Sequence, residues 1–490
     1  MDNHSNISYL KKFAKQSSFY FSGNTLILLA GFISFPIWTR VFSKAEYGTL
    51  HLITITVLFL TAFSKLGLQH AAIRFFPEFE KRQKNMSSYY ATLFLSSFIL
   101  NVFIFLLTNI LVWLFFNKYN NKLIISLLHL STILIFIGSL KSVFENFLRA
   151  EGRAKIYALF SILNRYGGLC LSLLFVVIFV WGLWGFFLGQ IFASVLILLI
   201  LFFMYLKKGL INIKSYSFLF LKEAIKYGFP LIAIEIAKML LNFGDRYLIQ
   251  YFLGASYLGT YAAGYNLSNL AISIISNPLR LAVVPLFISI WEKKGAEETK
   301  HFLTSIFNFY LMIIIPIIFG LCCLRKEIIV IMASSRYSDA ATIIPYIVTS
   351  KALHGALYIF GAGLYVKKKT SFLMWLTLVS SFINIILNIF LIPKYGIIGA
   401  AFSTLICIIF LSLSTYMISG KFLKIDLARI PLLKYLFLSF LMYVVIIFIP
   451  GTKFIEVLGK IVLGATIYLF GLIITDEYVR KKICIFLKVS

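Results

Sequence analysis

Acidic side chains are scarce in this chain of 490 residues, with 18 Asp and Glu against 46 Lys and Arg. Charge of either sign accounts for only 13% of residues, where a soluble protein carries roughly 25%. A water-soluble globular fold is excluded on that ground. Long polar loops are also missing, since the gaps between apolar runs hold at most about 20 residues. A membrane glycosyltransferase, polymerase or ligase needs paired carboxylates or a base in a sizeable extramembrane loop. Here the outer loops offer only Glu46, Glu327 and Asp339. Cysteine is sparse too: Cys170, Cys322, Cys323, Cys407 and Cys484 lie in or beside apolar runs without metal-ligand spacing, and read as small hydrophobes. A cleavable signal is not expected, because the first apolar run is too long for one and follows Lys11, Lys12 and Lys15. The net charge of +28 does not point to nucleic acid, because the basic residues form no patch with interleaved aromatics on a soluble domain.

What the chain has is apolar length. It is 60% hydrophobic and 17% aromatic, with a mean hydropathy of +0.93. Runs of about 20 residues recur throughout, the length that crosses about 30 Å of hydrocarbon. The short alternating strands of a membrane barrel are not seen. The expectation is an all-α polytopic membrane protein of fourteen transmembrane helices. The spans read 19–38, 47–66, 87–116, 123–146, 156–180 and 183–206, then 224–247, 257–287, 302–324, 340–366, 371–392 and 396–420, and finally 431–449 and 454–475. Lys and Arg fall mostly in every second gap, 29 on one side and 10 on the other. By the positive-inside rule both termini face the cytoplasm.

The two halves echo one another. Arg40 followed by Ala45-Glu46-Tyr47-Gly48-Thr49 returns as Arg246 followed by Ala255-Ser256-Tyr257-Leu258-Gly259-Thr260. Pro77 returns as Pro285, Trp181-Gly182-Leu183-Trp184-Gly185 as Tyr395-Gly396-Ile397-Ile398-Gly399, and Arg153-Ala154-Lys155 as Lys367-Lys368-Lys369. The order is kept, which points to a duplicated six-helix unit. Six being even, the halves would be related by a pseudo-two-fold along the membrane normal, with the substrate site between them. The expected organisation is an N-terminal lobe over 1–206, a cytoplasmic connector over 207–222 and a C-terminal lobe over 223–420. An additional helix pair and basic tail, with Arg480-Lys481-Lys482, occupy 421–490.

Pro36-Ile37-Trp38-Thr39-Arg40, Glu46-Tyr47-Gly48, Leu148-Arg149-Ala150-Glu151-Gly152-Arg153, Gly228-Phe229-Pro230, Asp245-Arg246-Tyr247 and Leu387-Asn388 through Ala401 carry a resemblance. The chain resembles polysaccharide flippases of the Wzx kind, whose wider superfamily includes the peptidoglycan lipid flippase and the multidrug MATE exporters. The resemblance covers nearly the whole chain. It implies a fourteen-helix transporter of the bacterial cytoplasmic (inner) membrane that moves undecaprenyl-pyrophosphate-linked oligosaccharide repeat units outward by alternating access. Membrane lipids would surround it, and a polysaccharide polymerase and glycosyltransferases of an O-antigen or capsule pathway would work beside it. No cofactor and no covalent chemistry are expected. Coupling to an H+ or Na+ gradient, or to the membrane potential, stays open, as does the glycan.

The residues that would carry such work are the polar ones inside spans, since a charge in hydrocarbon costs at least about 2.5 kcal/mol and normally faces a partner or a wet cavity. Glu235, Lys238, Asn242 and Asp245 recur at steps that stack them on one helix face. Seven bases fall within spans, Lys65, Lys141, Arg165, Lys238, Arg280, Lys351 and Lys460, against Glu145 and Glu235 with Asp245 at a span end. A net basic interior attracts an anion such as a pyrophosphate. The substrate-binding candidates are Arg40, Lys65, Arg165, Lys238, Arg246, Arg280 and Lys351; Glu235 and Asp245 are candidates for ion coupling. Asn24, Gln190, His354, Asn384 and Asn388 are candidates for sugar contacts. Plainer roles compete: Lys460 snorkelling, Lys141 pairing with Glu145, Lys238 neutralising Glu235, Arg40 and Arg246 meeting lipid head groups, and the amides bonding between helices. A MATE-like exporter of organic cations, with Glu235 as the cation carboxylate, is the alternative, and seven interior bases weigh against it.

Overall fold

The computed structural model describes residues 3–81, 85–116, 122–426 and 429–476. Lys84, Lys118, Arg480-Lys481-Lys482 and Cys484 lie outside the described residues, as do the side chains of Lys11, Lys12, Lys15 and Lys122. Among the described residues the chain is helical with no strand. In order the helices are α1 (Asn3–Val41), α2 (Lys44–Ser64), α3 (Leu68–Lys81), α4 (Met86–Phe116), α5 (Lys122–Ala150), α6 (Ala154–Leu173), α7 (Gly182–Lys207) and α8 (Phe218–Leu253). Next come α9 (Ala255–Cys323), α10 (Arg325–Met332), α11 (Ile344–Phe360), α12 (Ala362–Val366), α13 (Thr370–Gly420), α14 (Arg429–Ile447) and α15 (Phe454–Thr475).

Ten of these helices are long and apolar enough to cross a membrane, and the protein is a multi-pass membrane protein. Their outward faces show why. On α4, Ile99, Phe103, Leu106, Ile110 and Trp113 recur at steps of three and four, and all are more than half exposed. A continuous apolar stripe of that kind has no place in water and suits hydrocarbon. The polar helix α8 is not among the ten; it carries Glu235, Lys238, Asp245 and Arg246. Two of the ten bend at a glycine. α9 changes direction at Gly295 (φ 83°) and α13 at Gly396 (φ 59°), backbone conformations that a Cβ would strain. Those breaks separate the segments expected at 257–287 and 302–324, and at 371–392 and 396–420.

The chain divides into two compact units, residues 1–34 with 46–244, and residues 35–45 with 245–490. The first packs around an aromatic core in which Tyr89, Phe144, Phe147 and Tyr205 are fully buried. There Tyr90 and Tyr205 donate to one oxygen of Glu151, at 2.7 and 2.9 Å, so the buried phenols are satisfied. The second packs α9, α11, α14 and α15 around Phe287, Tyr310, Val348 and Tyr468. Tyr310 and Tyr468 donate to the carbonyls of Ala352 and Met312.

Candidate functional site

A polar cavity of about 580 Å³ opens inside the first unit. Two helices present it with the same geometry. From α5 come Ser142, Glu145, Asn146 and Arg149, and from α8 come Leu231, Ile234, Glu235 and Lys238. Both sets fall at i, i+3, i+4 and i+7, one face of a helix. Lys65, Gln69 and His70 from the end of α2 and the start of α3, and Tyr157 from α6, complete the lining.

Two glycines bring these elements together. The turn between α2 and α3 takes left-handed angles at Leu66 (φ 41°) and Gly67 (φ 76°). A Cβ on Gly67 would overlap the backbone of Gly228 in α8, and one on Gly228 would overlap the backbone of Gly67. That approach sets the first turn of α3 against α8. Gln69 Nε2 then donates to Glu235 Oε2 at 3.1 Å, and His70 Nε2 stands 3.7 Å from the same oxygen.

Charge in the cavity is unbalanced. Glu235 faces His70 and Gln69, and Glu145 lies 3.9 Å from Lys141. Among the described residues none of Lys65, Arg149 and Lys238 forms an ion pair with a carboxylate. Arg149 donates to Asn146 Oδ1 at 3.4 Å and lies over the Tyr157 ring, 5.8 Å from its centroid. Three cations and two carboxylates therefore line a space that also holds amide and hydroxyl groups. Such a set has the chemistry to hold a polyanion by charge-assisted hydrogen bonds.

The other candidate residues lie elsewhere. In the second unit Asp245 and Arg246 are buried as an ion pair, with Tyr261 donating its hydroxyl to Asp245. Arg246 and Lys351 lie 3.8 and 4.4 Å from the centroid of the Tyr265 ring. Arg40 donates to the carbonyls of Ile331 and Met332, at 2.5 and 3.3 Å, and so closes the C-terminus of α10. Arg280 bonds Tyr358 at 3.3 Å. Arg165 and Asn24 are exposed in the first unit and do not line the cavity. Gln190 donates to Ser172 at 3.1 Å between α7 and α6. Asn384 and Asn388 are fully buried one turn apart on α13 and bond each other at 3.0 Å, while His354 is half-buried on α11. Lys460 is buried and donates to the carbonyl of Gly451. Of the α8 stripe, Glu235 and Lys238 reach the cavity, Asn242 bonds the carbonyl of Lys238, and Asp245 belongs to the buried pair.

Gln69, His70, Ser142, Asn146, Arg149 and Tyr157 escape the sequence reading. The α5 set falls at i, i+3, i+4 and i+7 on one helix face, so its signal is present. Arg149 is masked because it sits at the end of an apolar run, where bases gather on charge grounds alone.

Comparison with known proteins bears on this cavity. The family model described as "Polysaccharide biosynthesis protein" matches residues 37–342, more than half the chain. The chain belongs to this family. Among its relatives, an "Uncharacterized membrane protein in cps region" of Klebsiella pneumoniae is 22% identical over 92% of both chains. The "Probable low-salt glycan biosynthesis flippase Agl15" of Haloferax volcanii is 23% identical over 39% of this chain and 41% of its own length. Among solved structures, the fold of this polysaccharide biosynthesis protein is similar to "Lipid II flippase MurJ, inward closed conformation", with a TM-score of 0.72 and 18% identity over 96% of this chain and all of that one. It is also similar to an inward-facing multidrug resistance MATE family transporter, with a TM-score of 0.62 and 16% identity over 81% of this chain and 94% of that one.

Proposed function

We propose that this polysaccharide biosynthesis protein is a flippase that carries an undecaprenyl-pyrophosphate-linked oligosaccharide across the bacterial cytoplasmic membrane by alternating access. The observation that carries this reading is the cavity whose Lys65, Arg149 and Lys238 form no close ion pair with a carboxylate among the described residues. A pyrophosphate is a compact anion with several acceptor oxygens, and three cations flanked by Ser142, Asn146, Gln69 and Tyr157 match it in charge and in hydrogen bonding. The names of the archaeal and Klebsiella relatives support a glycan cargo, and the latter's setting favours a capsular repeat unit over other envelope glycans. On this reading fourteen helices span the membrane as two six-helix halves plus a final pair, both termini are cytoplasmic, and a polymerase and glycosyltransferases act on either side of the transport step. An H+ or Na+ gradient or the membrane potential drives it.

The MATE-like reading, export of an organic cation, has the second fold likeness in its favour. It needs a carboxylate available to the cation, whereas Glu235 and Glu145 already face basic partners. The test is flipping of a lipid-linked oligosaccharide by the protein in reconstituted vesicles, wild type against Lys65→Ala/Lys238→Ala. Flipping by the wild type and its loss in the variant support the proposal. Export of an organic cation down an ion gradient, with no movement of lipid-linked sugar, would replace it by the MATE-like reading.

A further inference from the structure

A second cavity, of about 420 Å³, lies within the second unit and has a different chemistry. Its walls come from Lys44 at the start of α2, from Ser256, Tyr257 and Thr260 at the start of α9, and from Asp339 and Thr342 before α11. Tyr395, Gly396, Ile397 and Ile398 at the bend of α13 close the ring. Tyr257 and Tyr395 both line it while remaining 53% and 63% exposed. At Gly396 no heavy atom lies within 4 Å of where a Cβ would stand, so the bend leaves open space. The one base, Lys44, is 3.5 Å from the Asp339 carboxylate.

This composition discriminates among ligands. A lipid tail needs an apolar wall, and here hydroxyls, an amine and a carboxylate interrupt it. A pyrophosphate needs surplus positive charge, and Lys44 is matched by Asp339. A neutral sugar has an apolar C–H face for an aromatic ring and a rim of hydroxyls that both give and accept hydrogen bonds. Two tyrosines, two threonines, a serine and a Lys–Asp pair supply both. We propose that this cavity is a binding site for neutral sugar residues, separate from the cationic cavity of the first unit. It rests on the flippase reading only for the identity of the sugar, which would be that of the carried repeat unit. By the charge bias of the loops it would open on the outer side, and hold the glycan portion of the cargo there.

The probe is the oligosaccharide released by mild acid from the lipid-linked pool of the source cells. Its binding to the purified full-length protein is followed by saturation-transfer NMR and by titration. Tyr257→Ala/Tyr395→Ala should weaken binding roughly tenfold, since each aromatic contact contributes about a factor of two to ten. Tyr257→Phe/Tyr395→Phe should keep most of it, because the ring face and not the hydroxyl carries the contact. Tyr251→Ala removes a tyrosine that is 81% exposed and outside the cavity, and should change nothing. Melting temperatures of all variants are compared, so that loss of binding is read only in folded protein. Undiminished binding in the double alanine variant, equal loss in Tyr251→Ala, or no binding to the wild type would each overturn the site. Flipping is assayed in parallel: a wild type that binds the sugar through these tyrosines but flips no lipid-linked form would refute the transport reading and leave the site standing.

Discussion

The carboxylate of Glu235 stands 3.7 Å from the imidazole of His70, across the gap between α8 and the first turn of α3. In sequence its obvious partner is Lys238, one turn away; in space Gln69 and His70 take that place, and Lys238 is left to the cavity. An imidazole thus sits beside the acid that offsets part of the cavity's positive charge.

That placement has a consequence for binding. Three cations face two carboxylates in the cavity lining, and Glu235 accepts from Gln69 and faces His70 instead of Lys238. Without the His70 ring, Glu235 is free to turn toward Lys238 and neutralise it, which lowers the positive charge offered to a pyrophosphate-linked lipid. His70→Ala should therefore weaken binding, and His70→Gln, which keeps a side-chain donor beside the carboxylate, should weaken it less. Affinity of the wild type and both variants for lipid-linked oligosaccharide in vesicles decides it; wild-type affinity in His70→Ala would remove His70 from the account.

Removing a cavity cation should weaken the cargo's binding without unfolding the protein. Charge-assisted hydrogen bonds contribute about 1.5–3 kcal/mol each, so Lys65→Ala, Arg149→Ala and Lys238→Ala should each lower affinity roughly tenfold to a hundredfold. Arg165→Ala, at an exposed position off the cavity, should leave it unchanged. The measurement is binding of lipid-linked oligosaccharide in vesicles at matched protein level. Equal losses at Arg165 and Lys65 would mean the anion is held elsewhere.

The Gly67–Gly228 approach makes a third expectation. Gly67→Ala meets both a left-handed backbone and the facing chain, while Gly228→Ala meets only the chain. The left-handed penalty for a residue with a Cβ is about 1–2 kcal/mol. Gly67→Ala should therefore lower the melting temperature more than Gly228→Ala. Both should also loosen the contact of Glu235 with His70. Wild-type melting in both variants would show that the approach is not rigid.

Much of this is legible in the sequence for definite reasons. Span length reports the solvent of each segment, and it shows without any tertiary knowledge. The polar face of α8 is legible because charge in an apolar run is rare enough to stand out. What is not legible is which polar residues meet. Arg246 and Lys238 look alike as bases in one helix, yet one is buried against Asp245 and the other lines a cavity. Arg149 hides among the loop bases, and His70 lies beyond the end of an apolar run. Only the glycine-permitted approach of two backbones, distant in sequence, brings it to Glu235.

The buried pair of Asp245 and Arg246 gives the most severe prediction for stability. Both side chains are almost wholly removed from the surface, and Asp245 also accepts the Tyr261 hydroxyl. Removing one partner of a buried pair strands the other charge and costs about 3–5 kcal/mol. Asp245→Asn keeps the shape but takes the carboxylate charge away from the guanidinium, with Lys351 close to the same Tyr265 ring adding to the positive charge. It should reduce folded yield and melting temperature sharply. Asp245→Leu/Arg246→Leu removes both charges and should recover much of the loss, because no isolated charge remains to be buried. A transport role for Arg246 predicts the opposite pattern: the double variant would be as inactive as the single one even where its melting temperature is restored. Measuring both quantities on the same preparations separates an arginine that holds the second unit together from one that also handles the cargo.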